Sequence, residues 1–166
     1  MKLLGKMTIL MILMAGMLVV GPPSLQAATK VPDFSLSAIN GKNKVIDIRE
    51  YRGKVVLVVF WATWCQPCMH EVPSLISLQK EFGAQGFSVI GLSVDEGGSS
   101  AVTRVIKKTG INYPVALASS KVSRDFGGIL GIPTAFMVDR SGNVVKRYSG
   151  WTSHKIIADD LKQVLK

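Results

Sequence analysis

Two cysteines, Cys65 and Cys68, stand three residues apart in the stretch Phe60-Trp61-Ala62-Thr63-Trp64-Cys65-Gln66-Pro67-Cys68, and the chain of 166 residues has no others. A disulfide that serves stability closes a long loop, and a pair this close encloses almost nothing. A structural zinc site takes four ligands. Only His70 and His154 could add nitrogen ligands to the two sulfurs, so no metal site and no cofactor is expected. A redox-active dithiol, able to close as a Cys65–Cys68 disulfide, is the reading that remains. Its chemistry needs one nucleophilic thiolate and a second thiol within bridging reach. The run Lys54 to Phe60 before the motif reads as a strand buried on both faces, and a helix from about Cys65 to Phe82 follows it. A thiol at the first turn of a helix feels the positive end of the dipole and unpaired N–H groups, which favour the thiolate. Cys65, just ahead of the helix, is expected to be exposed and to attack a partner disulfide. Cys68, inside the first turn, is expected to be shielded and to resolve the mixed disulfide. Pro67 suits the first helical turn, where its missing N–H costs little.

Glu71 is the third chemical candidate. At about 100° per residue, Cys68, Val72, Leu75, Leu78 and Phe82 span one apolar arc. Glu71 falls inside that arc, one turn after Cys68. A carboxyl there is expected to be desolvated, to have a raised pKa, and to move the proton that thiol exchange requires. An exposed Glu at the edge of the stripe is the alternative. The remaining polar and aromatic residues read as structural. His70 lies on the far side of the helix. His154 falls in the first turn of the last helix without a partner. Trp61 and Trp64 are expected to pack around the motif, with Trp64 over Cys65, and Trp151 to pack in the core or against a hairpin. Asp95-Glu96 reads as a solvated loop, not a calcium loop.

The elements that must hold these residues can be read from pattern. Phe34 to Ile48 alternates around Asn40-Gly41, a hairpin signal. After the motif helix come a buried strand over Phe87 to Val94, a helix capped by Ser99 or Ser100 and stopped at Gly110, and a short strand over Tyr113 to Leu117. A short helix over Lys121 to Phe126 follows. Thr134 to Val138 and Val144 to Ser149 flank the turn residues 139–143, and a final amphipathic helix, capped by Thr152 or Ser153, carries Ile156, Ile157, Leu161, Val164 and Leu165. Strands alternating with helices imply a central mixed sheet covered by helices on both faces, an α/β fold.

With 48% hydrophobic and 19% charged residues the chain can bury a core and is not a disordered tail. Lys2 and Lys6, an uncharged run from Met7 to Gly21, then Pro22-Pro23 and Ser24-Leu25-Gln26-Ala27-Ala28 have the layout of a secretory signal. The run is shorter than the roughly 20 residues a spanning helix needs. Residues 1–27 are therefore expected to be a signal peptide, with an uncleaved anchor as the competing reading, and residues 28–166 to be one domain. The formal charge of +9 falls to +7 without Lys2 and Lys6. The other basic residues are scattered and form no stripe with aromatics, so nucleic acid is not an expected partner.

At the motif the chain resembles the thioredoxin superfamily, and it looks most like the TlpA/ResA branch of exported bacterial thiol-disulfide oxidoreductases. Val31-Pro32-Asp33-Phe34, Trp64-Cys65-Gln66-Pro67-Cys68, Tyr113-Pro114-Val115 and Gly131-Ile132-Pro133-Thr134 fit that pattern. The resemblance implies a thioredoxin fold with an N-terminal β-hairpin and a TlpA-type α/β insertion near 99–117. It implies that Pro133 is a cis proline facing the disulfide, that the backbone of Ile132 pairs with an incoming peptide, and that Trp64, Gln66 and Pro67 flank the site. It adds support for Glu71. Ordinary thioredoxins carry an Asp where this chain has Val59, which leaves Glu71 as the acid candidate. The expected activity is reduction of disulfides in exported proteins, apocytochrome c among the candidates. Electrons would come from a membrane thiol carrier of the DsbD/CcdA type, in the periplasm or on the outer face of the membrane, with membrane contact only through an uncleaved leader. Two other functions stay open. A peroxiredoxin-type thiol peroxidase shares the fold, but the Pro-x-x-x-Thr-x-x-Cys pattern is missing. A copper- or haem-delivery module would use the pair as ligands, but the spacing is one residue short.

Overall fold

The computed structural model describes residues 29–41 and 43–166. The expected leader, residues 1–27, and Ala28 beside its cut lie outside the described residues. β1 (Ser35–Ser37) and β2 (Val45–Asp47) form the N-terminal hairpin. β3 (Val55–Trp61), α1 (Gln66–Phe82), β4 (Phe87–Ser93), α2 (Ser100–Thr109), β5 (Val115–Leu117) and α3 (Ser120–Asp125) follow. β6 (Thr134–Val138), β7 (Val144–Ser149) and α4 (His154–Leu165) close the chain.

β3 is seven apolar residues, all buried, which only a central strand can satisfy. It pairs in parallel with β4 and antiparallel with β6, and the sheet order is β5-β4-β3-β6-β7. Alternate residues of β3 feed two cores. Val55, Leu57, Val59 and Trp61 face α1, α2 and α4, through residues such as Leu78, Val102 and Leu161. Val56, Val58 and Phe60 face α3 and the N-terminal hairpin, through Val122, Phe126 and Ile46. Phe60, Phe126 and Phe136 pack edge-on or tilted there, with centroids 4.9 to 6.1 Å apart. The mixed sheet covered on both faces is the α/β thioredoxin fold expected from the sequence. The N-terminal hairpin forms its own small sheet, joined to the main one by the Ala38–Ala116 bridge. α2 and β5 supply the inserted α/β unit, with β5 as an edge strand beside β4.

Several local expectations change. Ser99 holds the cap position of α2 and Ser153 that of α4, but neither side chain bonds the helix. Ser119 does cap α3, accepting from the Val122 N–H at 3.2 Å, so that helix starts at Ser120. In α4, Ile157, Ala158 and Leu161 are buried while Ile156 is half exposed, because the contact with the sheet is narrower than the apolar count suggests. Trp151, expected to pack in the core or against a hairpin, is exposed and lies outside the core. Its neighbours fix their backbones inward instead: Gly150 N–H donates to the Pro133 carbonyl at 2.8 Å, and Thr152 N–H to Glu71.

Candidate active site

β3 ends at Trp61, and the turn Ala62 to Cys65 is closed by the Cys65 N–H donating to the Ala62 carbonyl at 3.2 Å. Cys65 is the N-cap residue of α1, with extended backbone, and its sulfur accepts from the Cys68 N–H at 3.2 Å. Cys65 and Cys68 are joined as a disulfide with Cα atoms 5.2 Å apart. The sulfur of Cys65 thus sits where unpaired N–H groups and the helix dipole both favour negative charge. Gln66 and Pro67, in the first turn, are exposed.

The expected contrast in burial between the two cysteines is absent. Cys65 is 5% and Cys68 2% exposed, because bridging draws the first sulfur in beside the second. Trp64 stands 69% exposed at the tip of the turn, while Trp61, the last residue of β3, is buried.

β6 brings the third segment. Thr134 pairs with Phe60, which puts Pro133 level with Trp61 where the motif leaves the sheet. The Ile132–Pro133 peptide is cis, Pro133 is buried and Ile132 half-buried.

Glu71 is 3% exposed on the inner face of α1, as the helical arc predicts. Burial pushes its pKa up from 4.5 to about 7. The Thr152 N–H, donating to Oε1 across 3.4 Å, pulls the other way but only weakly. The Tyr113 hydroxyl is held above its ordinary range by burial and then by the charge of Glu71. A buried carboxyl that titrates near neutrality can take or give a proton at working pH.

Two polar residues differ from their expected roles. His154 has partners: its Nδ1 is 3.2 Å from Ser74 Oγ, and its Nε2 is 3.9 Å from Glu81 Oε2. Asp95 is not a solvated loop acid. Its carboxylate accepts from both donors of Thr63. His70 is exposed, as its place on the wheel implies. Among the described residues no group of three or more His, Cys, Asp or Glu gathers as metal ligands, and no helix is long and apolar enough to cross a membrane. A cleft of about 550 Å³ lies at the other end of the sheet, beside Arg49, Arg52, Lys54 and Arg140, and none of the motif residues lines it.

A disulfide at a helix N-terminus, delivered by a central buried strand and flanked by a cis-proline loop, defines a thioredoxin-fold protein of thiol–disulfide chemistry. Comparison with known proteins agrees. The family model described as Redoxin matches residues 26–165. The thiol-disulfide oxidoreductase ResA of Bacillus subtilis is 33% identical over 139 residues, covering 84% of this chain and 76% of ResA. Two solved structures from Chlorobium tepidum superpose with TM-scores of 0.77. One, a thioredoxin-family thiol:disulfide interchange protein, is 35% identical; the other, a putative interchange protein DsbE, is 27% identical. Each alignment covers 84% of this chain and 97% of the other. The chain belongs to the redoxin family of the thioredoxin superfamily, and it is a ResA-like thiol-disulfide oxidoreductase.

Proposed function

We propose that this enzyme is exported and works as a reductase of disulfides in extracytoplasmic proteins, with Cys65 as attacking thiol, Cys68 as resolving thiol and Glu71 as proton carrier. The observation that carries the reading is the Cys65–Cys68 bridge at the N-terminus of α1 with the buried Glu71 one turn on.

In the reduced enzyme the Cys65 thiolate attacks one sulfur of a partner disulfide. A Cys65–partner bond forms, the partner's S–S bond breaks, and the leaving sulfur departs as a thiolate that takes up a proton. Cys68 then attacks Cys65 Sγ, forming the intramolecular bridge and releasing the second partner thiol. Two electrons pass to the partner, whose two thiolates take up their protons from water and from Glu71. Glu71 takes the proton from Cys68 as that thiol becomes a nucleophile. The backbone of Ile132 and the exposed Trp64, Gln66 and Pro67 receive the partner chain in extended form, as an added strand.

Direction follows from what surrounds the sulfurs. A strongly oxidising pair needs an unusually stable reduced form. Between the cysteines stand Gln66 and Pro67, with no cation to add to the helix dipole. The leader pattern of residues 1–27 supports export to the periplasm or the outer membrane face. An apocytochrome c is a fitting substrate, and a membrane thiol carrier of the DsbD/CcdA type is a fitting donor. The test is the reduction potential of the pair, read by Trp fluorescence against a thiol buffer. A value near or below about −230 mV supports a reductase, and one near about −120 mV reverses the direction.

A further inference from the structure

β3 and β4 run parallel and in register through Trp61 and Ser93, so the segments that leave the two strands lie side by side. The Val94 N–H donates to the Trp61 carbonyl at 2.8 Å. One residue on, the Asp95 carboxylate accepts the Thr63 N–H at 2.9 Å, the Thr63 hydroxyl at 2.5 Å and the Ser93 hydroxyl at 2.7 Å. Its own N–H donates to the Ser93 hydroxyl at 3.1 Å. Among the described residues no Lys or Arg forms an ion pair with this carboxylate. Neutral donors alone hold its charge, which is left uncancelled beside the motif.

Thr63 is the second residue of the turn closed by Cys65, and both of its hydrogen-bond donors end on Asp95. The turn that aims Cys65 is therefore fastened to the neighbouring strand from outside the motif. We propose that Asp95 is a positioning residue for thiol–disulfide exchange, clamping the turn that presents Cys65 and biasing the pair toward giving up electrons. The inference rests on Cys65 being the attacking thiol.

Two effects act in one direction. The clamp is made in the disulfide form and stabilises it against a reduced form in which the turn relaxes. The negative charge, bonded two residues before Cys65, opposes a thiolate there. A reduced form held less stable makes a stronger reductant. The other ionisable groups around the motif are Glu71 on α1, Tyr113 before β5, whose hydroxyl the charge of Glu71 raises, and Glu96, which is exposed. His70 points away on α1, and the segments at Ile132–Pro133 and Trp151–Thr152 bring no ionisable side chain.

The test compares wild type with D95A, D95N, T63V and E96Q. Each is equilibrated against a dithiol buffer, which supplies the two electrons and two protons that open the bridge. Each reduced protein is then alkylated with iodoacetamide, and the modified cysteine is located by peptide fragmentation. In D95A the equilibrium constant for reduction of the pair rises about threefold or more, roughly 14 mV at roughly 30 mV per tenfold. Cys65 in D95A and D95N alkylates about fivefold faster near neutral pH, as the thiolate fraction grows. T63V, which loses one bond and keeps the charge, raises the constant by less. E96Q changes neither readout. Potentials of D95A and D95N equal to wild type, with only the melting temperature lowered, overturn the proposal, and so does an equal shift in E96Q. If D95A does not fold, the isosteric D95N and T63V decide. Alkylation falling first on Cys68 overturns the attacking-thiol assignment itself, and is told apart because the label sits on a different residue.

Discussion

Replacing Glu71 by Gln keeps the shape of the side chain and removes its proton site, so it isolates what the buried carboxyl does. In the unfolded chain Glu71 ionises near 4.5, and in the folded protein near 7. Between those values the native state holds a proton that the unfolded chain has released. Unfolding then releases a proton, so stability falls as pH rises through the window. The contribution is fully present below about pH 4.5 and gone above about pH 7. At about 1.4 kcal/mol per tenfold, the difference amounts to roughly 3 kcal/mol. The E71Q protein lacks this slope. The unmade bonds of the buried amide cost about 1–3 kcal/mol at every pH, so the quantity to follow is the difference between the two proteins. Urea unfolding of the oxidised forms at about pH 4.5, 6 and 8 is expected to show E71Q gaining on wild type by about 3 kcal/mol across the series. In the reduced forms the same substitution shifts the thiol titrations and slows exchange near neutral pH, since Gln carries no transferable proton. A difference that stays constant with pH would refute the reasoning, because a carboxyl this buried cannot ionise without cost.

The other expectations concern the exchange step and the floor beneath it. Cys68→Ser leaves the attack intact and blocks resolution, so a mixed disulfide with a substrate protein accumulates on a non-reducing gel; Cys65→Ser accumulates none, and trapping by Cys65→Ser instead would exchange the two roles. Gly91 lies on β4 beneath the motif, and an added Cβ would meet Trp61 Nε1 at 3.1 Å, Tyr113 Cε2 at 3.3 Å and Val115 Cγ2 at 3.3 Å. All three neighbours are buried, so Gly91→Ala is expected to lower stability by about 1–3 kcal/mol, read as a lower urea midpoint at unchanged slope. An unmoved midpoint would show that the Trp61 ring gives way.

What could be read from the chain and what could not divide along a physical line. The strand of β3, the helix α1 and the dithiol are local: seven apolar residues, a 3.6-residue period and a three-residue spacing. Glu71 was legible for the same reason, since one helix fixes which face a residue shares, and an acid inside an apolar arc must be desolvated. Other misreadings depend on segments far apart in the chain. Trp64 and Trp151 read as packing residues, yet both stand exposed, Trp151 between two neighbours whose backbones are tied inward at Pro133 and Glu71. His154 meets Ser74 across 80 positions. Arg140 comes from far along the chain to stand with Arg49, Arg52 and Lys54 beside one cleft.

Asp95 shows where that boundary can be moved. It is 32 residues from Thr63, and no periodicity links them. The register of the sheet does. Two parallel neighbours that start level also end level, so the residues that follow them must meet. β3 and β4 were both recognisable as buried strands, over Lys54 to Phe60 and Phe87 to Val94, and parallel pairing follows from the helix between them. An acid two residues past the end of β4 therefore faces the residues two past the end of β3, which are those that lead into Cys65. Read this way, the carboxylate belongs to the motif as closely as any residue between the cysteines, although composition and spacing alone place it in a loop.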